Sequence, residues 1–286
     1  MTLPNSSKNI TINRLSTSIT STQFQNPIIE TDLSWSELVT YLPVDVLDNI
    51  VFPYFGDVVS VSHSTDDGTV DFLTTMEFLN SFSTKCYFVN FHIDRQMTMP
   101  HTLISCYGVP KITSTTLEKL FIGCIKFNGD ISDWDTSSVE KMSLVFFGCH
   151  NFNRDISDWN TSRVIDMNHM FSDCYEFNGD ISSWDTSGVE KMSSMFINCY
   201  KFNGDISEWD TSSVKYMSCM FSGCYEFNRD ISKWNTSNVI TMNNMFFGCS
   251  VFNRDISFWN VSKVEDMTCI FYDCSNLKYD FSNWCN

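Results

Sequence analysis

Twelve cysteines are present, and seven of them recur every 25 residues, at Cys124, Cys149, Cys174, Cys199, Cys224, Cys249 and Cys274. A repeating set of thiols could hold a metal ion or form disulfides. A zinc knuckle needs ligand pairs only about two to four residues apart, which this spacing does not offer. Stacked neighbours could reach disulfide distance, but pairing along the row would leave one of the seven over. Each cysteine closes an apolar run, which predicts a buried free thiol. Cys219, Cys269 and Cys285 stand off this row and are expected nearer the surface.

Aspartates keep the same step, from Asp130 through Asp155, Asp180, Asp205, Asp230 and Asp255 to Asp280. Stacked carboxylates repel unless each is hydrogen-bonded or bound to a cation. The glycine-rich nonapeptide of calcium-binding repeats is missing, so each Asp is expected to bond its own backbone turn. Asn160, Asn235 and Asn260 begin glycosylation sequons, yet other copies hold Asp135, Asp185 and Asp210 there. Free exchange of Asp and Asn predicts a turn or cap slot. The five histidines show no metal spacing, and neither a phosphate loop nor a nucleophile elbow occurs. No enzyme activity, metal or cofactor is expected.

The elements that must position these rows follow from the period. Tryptophans from Trp134 to Trp284 share it, and so does the whole unit from residue 124 onward, in six full copies and a seventh partial one. Such a period is the signature of stacked units that bury apolar faces only against neighbours. Val214, Met217, Met220, Phe221 and Cys224 have the spacing of one helical stripe, with Asp210-Thr211-Ser212 placed to cap it. The pairs Ser137/Glu140, Ser187/Glu190 and Ser262/Glu265 have capping-box spacing. The upstream FNGDIS or FNRDIS fits a short strand. The expected fold is α/β: a leucine-rich-repeat-like solenoid of seven 25-residue coils, each a short parallel strand plus a short helix. The asparagine row Asn128 to Asn253 is expected to satisfy its amides along the stack.

The unit Met-Phe-x-x-Cys-x-x-Phe-Asn-x-Asp-Ile-Ser-x-Trp-Asp-Thr-Ser-x-Val-x-x-Met, over residues 121–286, resembles the BspA-like repeat family, the Mycoplasma lipoprotein repeat of unknown function. That resemblance implies a leucine-rich-repeat-like protein used in adhesion or protein binding, with members in bacteria, protists and large DNA viruses. Bacterial members usually carry export signals or lipid anchors. The polar N-terminus here shows neither, nor an apolar span, which points to a viral or protist member in the cytoplasm of the producing or host cell.

Ahead of the repeats, residues 1–27 read as a disordered polar tail and 28–101 as a mainly helical cap. A helix is expected around 70–82 and a strand around 85–93. Residues 102–123 read as a worn first coil, because Leu117, Leu120 and Phe121 lie 25 places before Met142, Val145 and Phe146. Within the cap, Leu42, Pro43, Val46, Leu47 and Ile50 resemble the first half of an F-box; its second half is replaced by His63-Ser64-Thr65-Asp66-Asp67-Gly68. This resemblance implies a Skp1-like adaptor as partner and a substrate-recruiting subunit of a ubiquitin ligase.

The net charge is −16, and both parts of the chain are acidic, so no basic stripe exists for phosphates. Nucleic acid and membrane insertion are not expected. Protein partners are. A binding face belongs where copies differ at exposed slots: Asp133, Asp158, Glu208, Lys233 and Phe258 before the tryptophan, and Arg154, Arg229 and Arg254 before the aspartate. The leading expectation is a non-enzymatic interaction scaffold, with the ligase subunit and a surface-exposed adhesin as alternatives.

Overall fold

The computed structural model describes residues 10–14, 58–65, 68–75, 84–87, 92–93, 95–99, 101, 103–107 and 109–284. Seven short strands come first: β1 Ile10–Arg14, β2 Val58–Thr65, β3 Gly68–Thr75, β4 Thr84–Tyr87, β5 His92–Ile93, β6 Leu103–Tyr107 and β7 Lys111–Ile112. β1, β2, β3, β4 and β6 form one sheet in that order, and β5 pairs with β7. β4 and β6 run parallel, with Cys86 opposite Cys106. β1 lies inside the segment expected as a disordered tail. β3 occupies the first part of the helix expected at 70–82. Its Thr69, Val70, Thr74 and Thr75 are β-branched and favour extended chain, and β2 pairs it along its whole length. The expected strand at 85–93 is divided between β4 and β5. The F-box-like residues Leu42, Pro43, Val46, Leu47 and Ile50 lie outside the described residues.

From Thr116 onward the chain climbs in turns of 25 residues. Parallel bridges join Thr116, Lys141, Asp166, Lys191, Tyr216, Thr241 and Asp266 in one line up the stack. Beside them runs a second set of bonds. Met142, Leu144, Phe146 and Gly148 donate backbone N–H groups to the carbonyls of Asp166, Asn168, Met170 and Ser172 in the next coil. The N–H groups between them turn inward: Val145 donates to Met142, Phe147 to Leu144 and Cys149 to Phe146.

This alternation replaces the helix expected in each coil. Among the described residues no α-helix occurs, and a 3₁₀ turn at Ser282–Trp284 is the one helical element. The cause is a left-handed residue at two slots per coil: Leu144 (φ 61°) and Gly148 (φ 72°) in one, Ser194 (φ 56°) and Asn198 (φ 58°) two coils on. An α-helix cannot pass through such residues. Bonds spanning three residues return the chain to one side, so apolar spacings of three and four arise without a helix. Left-handed conformation costs an L-residue about 1–2 kcal/mol. The N–H···O=C bond from Leu144 to Asn168, 3.0 Å, is one of those that offset it.

The core is a set of ladders. Phe121, Phe146, Phe171, Phe196, Phe221 and Phe246 stack at 5.5–5.8 Å between ring centroids. Each packs against the next phenylalanine of its own coil, as Phe146 does on Phe152 at 4.0 Å. The tryptophan row stacks beside them, 6.5 Å from Trp184 to Trp209. All of these rings are buried. The first coil is capped by the strand region: the Met99 N–H donates to the Leu120 carbonyl at 2.6 Å, and that of Asn128 to Ile104. Leu117 and Phe121 bond to Lys141 and Val145, so this coil sits in the register expected of it.

Candidate partner-binding surface

Most repeated polar groups serve the stack itself. Each ladder cysteine after the first donates its thiol to a carbonyl one coil back, as Cys149 does to Phe121 (3.1 Å) and Cys199 to Phe171 (2.9 Å). The ten cysteines from Cys106 to Cys274 are free thiols. Burial pushes the ladder thiols well up, and that of Cys274, in the last coil, to about 11. A protonated, enclosed thiol is neither nucleophile nor metal ligand. Tryptophan Nε1 groups do the same job: Trp184 donates to Ile156 at 3.0 Å.

The aspartate row holds its own turns. Asp180 Oδ1 accepts the Ser182 N–H at 3.0 Å, and Asp155, Asp205 and Asp230 accept from Ser157, Ser207 and Ser232. These backbone bonds, with the serine hydroxyls second, lower the four carboxyls below the usual aspartate range. The Asp/Asn slot behaves alike: Ser162 donates to Asn160 Oδ1 and Ser187 to Asp185 Oδ1. Both are turns with an acceptor two residues before the donor, not helix caps. In the capping-box pair, the Glu140 N–H instead donates to Thr115 in the coil before. The asparagine row bonds the backbone rather than its neighbours' amides: Asn178 Oδ1 accepts the Asn203 N–H at 2.8 Å. Threonines reach forward as well, but as donors: Thr186 Oγ1 donates to the Asp210 carbonyl at 2.9 Å.

The eight residues proposed for a binding face are all exposed. They form two columns. In one, Asp133, Asp158, Glu208, Lys233 and Phe258 succeed one another up the stack. Lys233 Nζ meets Glu208 Oε1 at 2.8 Å, and Phe258 is 85% exposed. In the other, the arginines are tethered: Arg154, Arg229 and Arg254 donate Nε to the carbonyls of Asn128, Asn203 and Asn228. That contact holds each side chain along the coil before it.

A further column had no place among the expected sites. His150, Tyr175, Tyr200 and Tyr225 stack at 4.2, 4.8 and 5.1 Å, with Tyr225 half exposed. Its signal was the residue after each ladder cysteine. A cross-coil ion pair flanks it, Lys201 with Glu176. Among the described residues no cluster of His, Cys, Asp and Glu could hold a metal ion, and no helix is long and apolar enough to cross a membrane.

A family model described as a Mycoplasma protein of unknown function, DUF285, matches residues 102–205 and 190–286. The chain belongs to the DUF285 family. No curated protein and no solved structure matches it. The match begins at residue 102, at the foot of the stack, and covers the coils described above. The sequence resemblance to the BspA-like repeats is carried by that part of the chain alone.

Proposed function

We propose that this DUF285 chain is a non-enzymatic, protein-binding solenoid whose partner contacts the column through Glu208, Lys233 and Phe258. The observation that carries the reading is Phe258. A phenylalanine 85% exposed stands in a column whose other members are polar, next above a lysine paired to a glutamate. Aromatic side chains, phenylalanine among them, are enriched at protein interfaces relative to the rest of the surface. The ladder residues support a scaffold rather than a reaction. Their thiols are buried and protonated, and their carboxylates and hydroxyls are committed to turns and neighbouring coils.

Affinity purification on the full chain tests this. A protein retained by the parent and lost from the Lys233→Glu, Phe258→Asp double variant, at unchanged melting temperature, is the expected result. Equal retention by parent and variant, or no specific retention by either, removes the reading.

A further inference from the structure

The six slots from the asparagine row to the residue before the tryptophan form one edge of each coil, and their charge changes sign up the stack. Residues 128–133, 153–158, 178–183 and 203–208 carry net formal charges of −2, −1, −1 and −2. Residues 228–233 carry +1, and residues 253–258 are neutral. In a chain of net charge −16, these two coils are where the edge stops repelling an anion.

The cations there are held ready for a ligand. Arg229 Nε donates to the Asn203 carbonyl at 2.6 Å, and Arg254 Nε to the Asn228 carbonyl at 2.8 Å. Each bond uses Nε and leaves the Nη groups to grip a carboxylate. Neither arginine forms an ion pair among the described residues. A side chain tethered in advance also loses less freedom on binding. Asp230 shows that the two columns meet. Its carboxyl is lowered chiefly by the Ser232 N–H and hydroxyl, and the charges of Arg254 and Lys233 lower it further. Both cations therefore lie near one carboxylate, which is itself committed to its turn. Phe258, 85% exposed, follows Arg254 by four residues.

We infer that this patch binds an acidic segment of a partner protein, whose carboxylates meet Arg229, Lys233 and Arg254 while an apolar side chain lies on Phe258. The inference rests on the scaffold reading and gives its partner a chemistry. Complementary charge speeds the encounter and sets the register, and the acidic edge of the lower coils repels the segment and confines it to these two. A second copy of the chain fits less well. Its own acidic edge would bring Asp133, Asp158, Ser183 or Glu208 to Phe258, none of them apolar.

The probe is a synthetic peptide, EDEDLFDEDE, titrated calorimetrically into the full chain. Binding is expected, weakening as salt rises from about 0.05 to about 0.3 M. The decisive variant is Arg229→Gly with Arg254→Gly. Glycine already fills this slot at Gly129, Gly179 and Gly204, so the coils are expected to keep their melting temperature while peptide affinity falls roughly tenfold or more. The peptide EDEDGSDEDE, without the apolar pair, is expected to bind several-fold more weakly. Four results overturn the inference: no binding of the acidic peptide, equal affinity in the glycine variant, equal affinity for the charge-reversed KRKRLFRKRK, or a dimer of the parent chain that blocks the peptide and dissociates in the glycine variant. A partner protein kept by the glycine variant and indifferent to salt, yet lost from the Lys233→Glu, Phe258→Asp variant, sinks the acidic-segment inference and leaves the scaffold reading standing.

Discussion

The thiol of Cys174 donates to the carbonyl of Phe146 at 3.0 Å, across a sequence separation of 28 residues. The same bond recurs from Cys149 to Cys274, so one residue type closes each coil onto the one before it. A thiol held this way is both packed and hydrogen-bonded, and serine in its place would bury a more polar group in the same apolar slot.

Alkylation should therefore separate the cysteines sharply. With iodoacetamide near neutral pH, exposed Cys269 is expected to react first among the ten cysteines from Cys106 to Cys274, and half-buried Cys219 after it. Cys149, Cys174, Cys199, Cys224 and Cys249 are expected to stay unlabelled until denaturant is added, because burial raises their pKa and blocks access. Mass spectrometry of the digested chain reads the order; native labelling of the buried row would contradict the enclosed ladder.

Glycine substitution distinguishes consecutive turns from a helix by its sign. Lys119 has φ 64° and an exposed side chain. Lys119→Gly is expected to raise stability by up to about 1 kcal/mol, since glycine adopts this conformation freely. In a helix the same change would cost about 1 kcal/mol. Conversely, Gly223 has φ 75°, and an added Cβ would lie 2.6 Å from Asn198 Oδ1. Gly223→Ala should lose about 1–2 kcal/mol or more in a denaturant titration.

Acid should loosen the turns. Asp155, Asp180, Asp205 and Asp230 have folded pKa values below their unfolded ones, mainly through the serine N–H each accepts. Their stabilisation is thus fully present above the unfolded value of about 3.9 and is lost as pH falls through the lower folded values. All four are exposed, so solvent screening keeps each contribution well under about 1 kcal/mol. Melting temperature measured from about pH 6 to pH 2 should fall at the acid end. In a chain carrying Asp155→Asn, Asp180→Asn, Asp205→Asn and Asp230→Asn, which keeps every Oδ1 acceptor, the fall should be shallower. An unchanged slope would dismiss the carboxylates as its cause.

Residue pattern alone settled the length of the coil and the membership of its core. Phe127, Ile131, Trp134, Val139, Met142, Phe146 and Cys149 repeat because each must be enclosed by its own equivalents, and all of them are buried. The Asp180–Ser182 turn was legible too, since donor and acceptor are two residues apart and the bond is local. Three things were out of reach of pattern. Apolar spacings of three and four suit a helix and a run of three-residue turns equally; the clue against the helix was the slot before each ladder cysteine, occupied by Gly123, Gly148, Asp173, Asn198, Gly223, Gly248 and Asp273, types that tolerate left-handed backbone. The partners of Cys174, Thr186 and Asn178 lie in adjacent coils, 24–28 residues away, where no local rule reaches. And the forward direction of the Met142, Leu144, Phe146 and Gly148 N–H groups exists only because alternate peptide units align along the stack, a property of coils laid on coils rather than of any one of them.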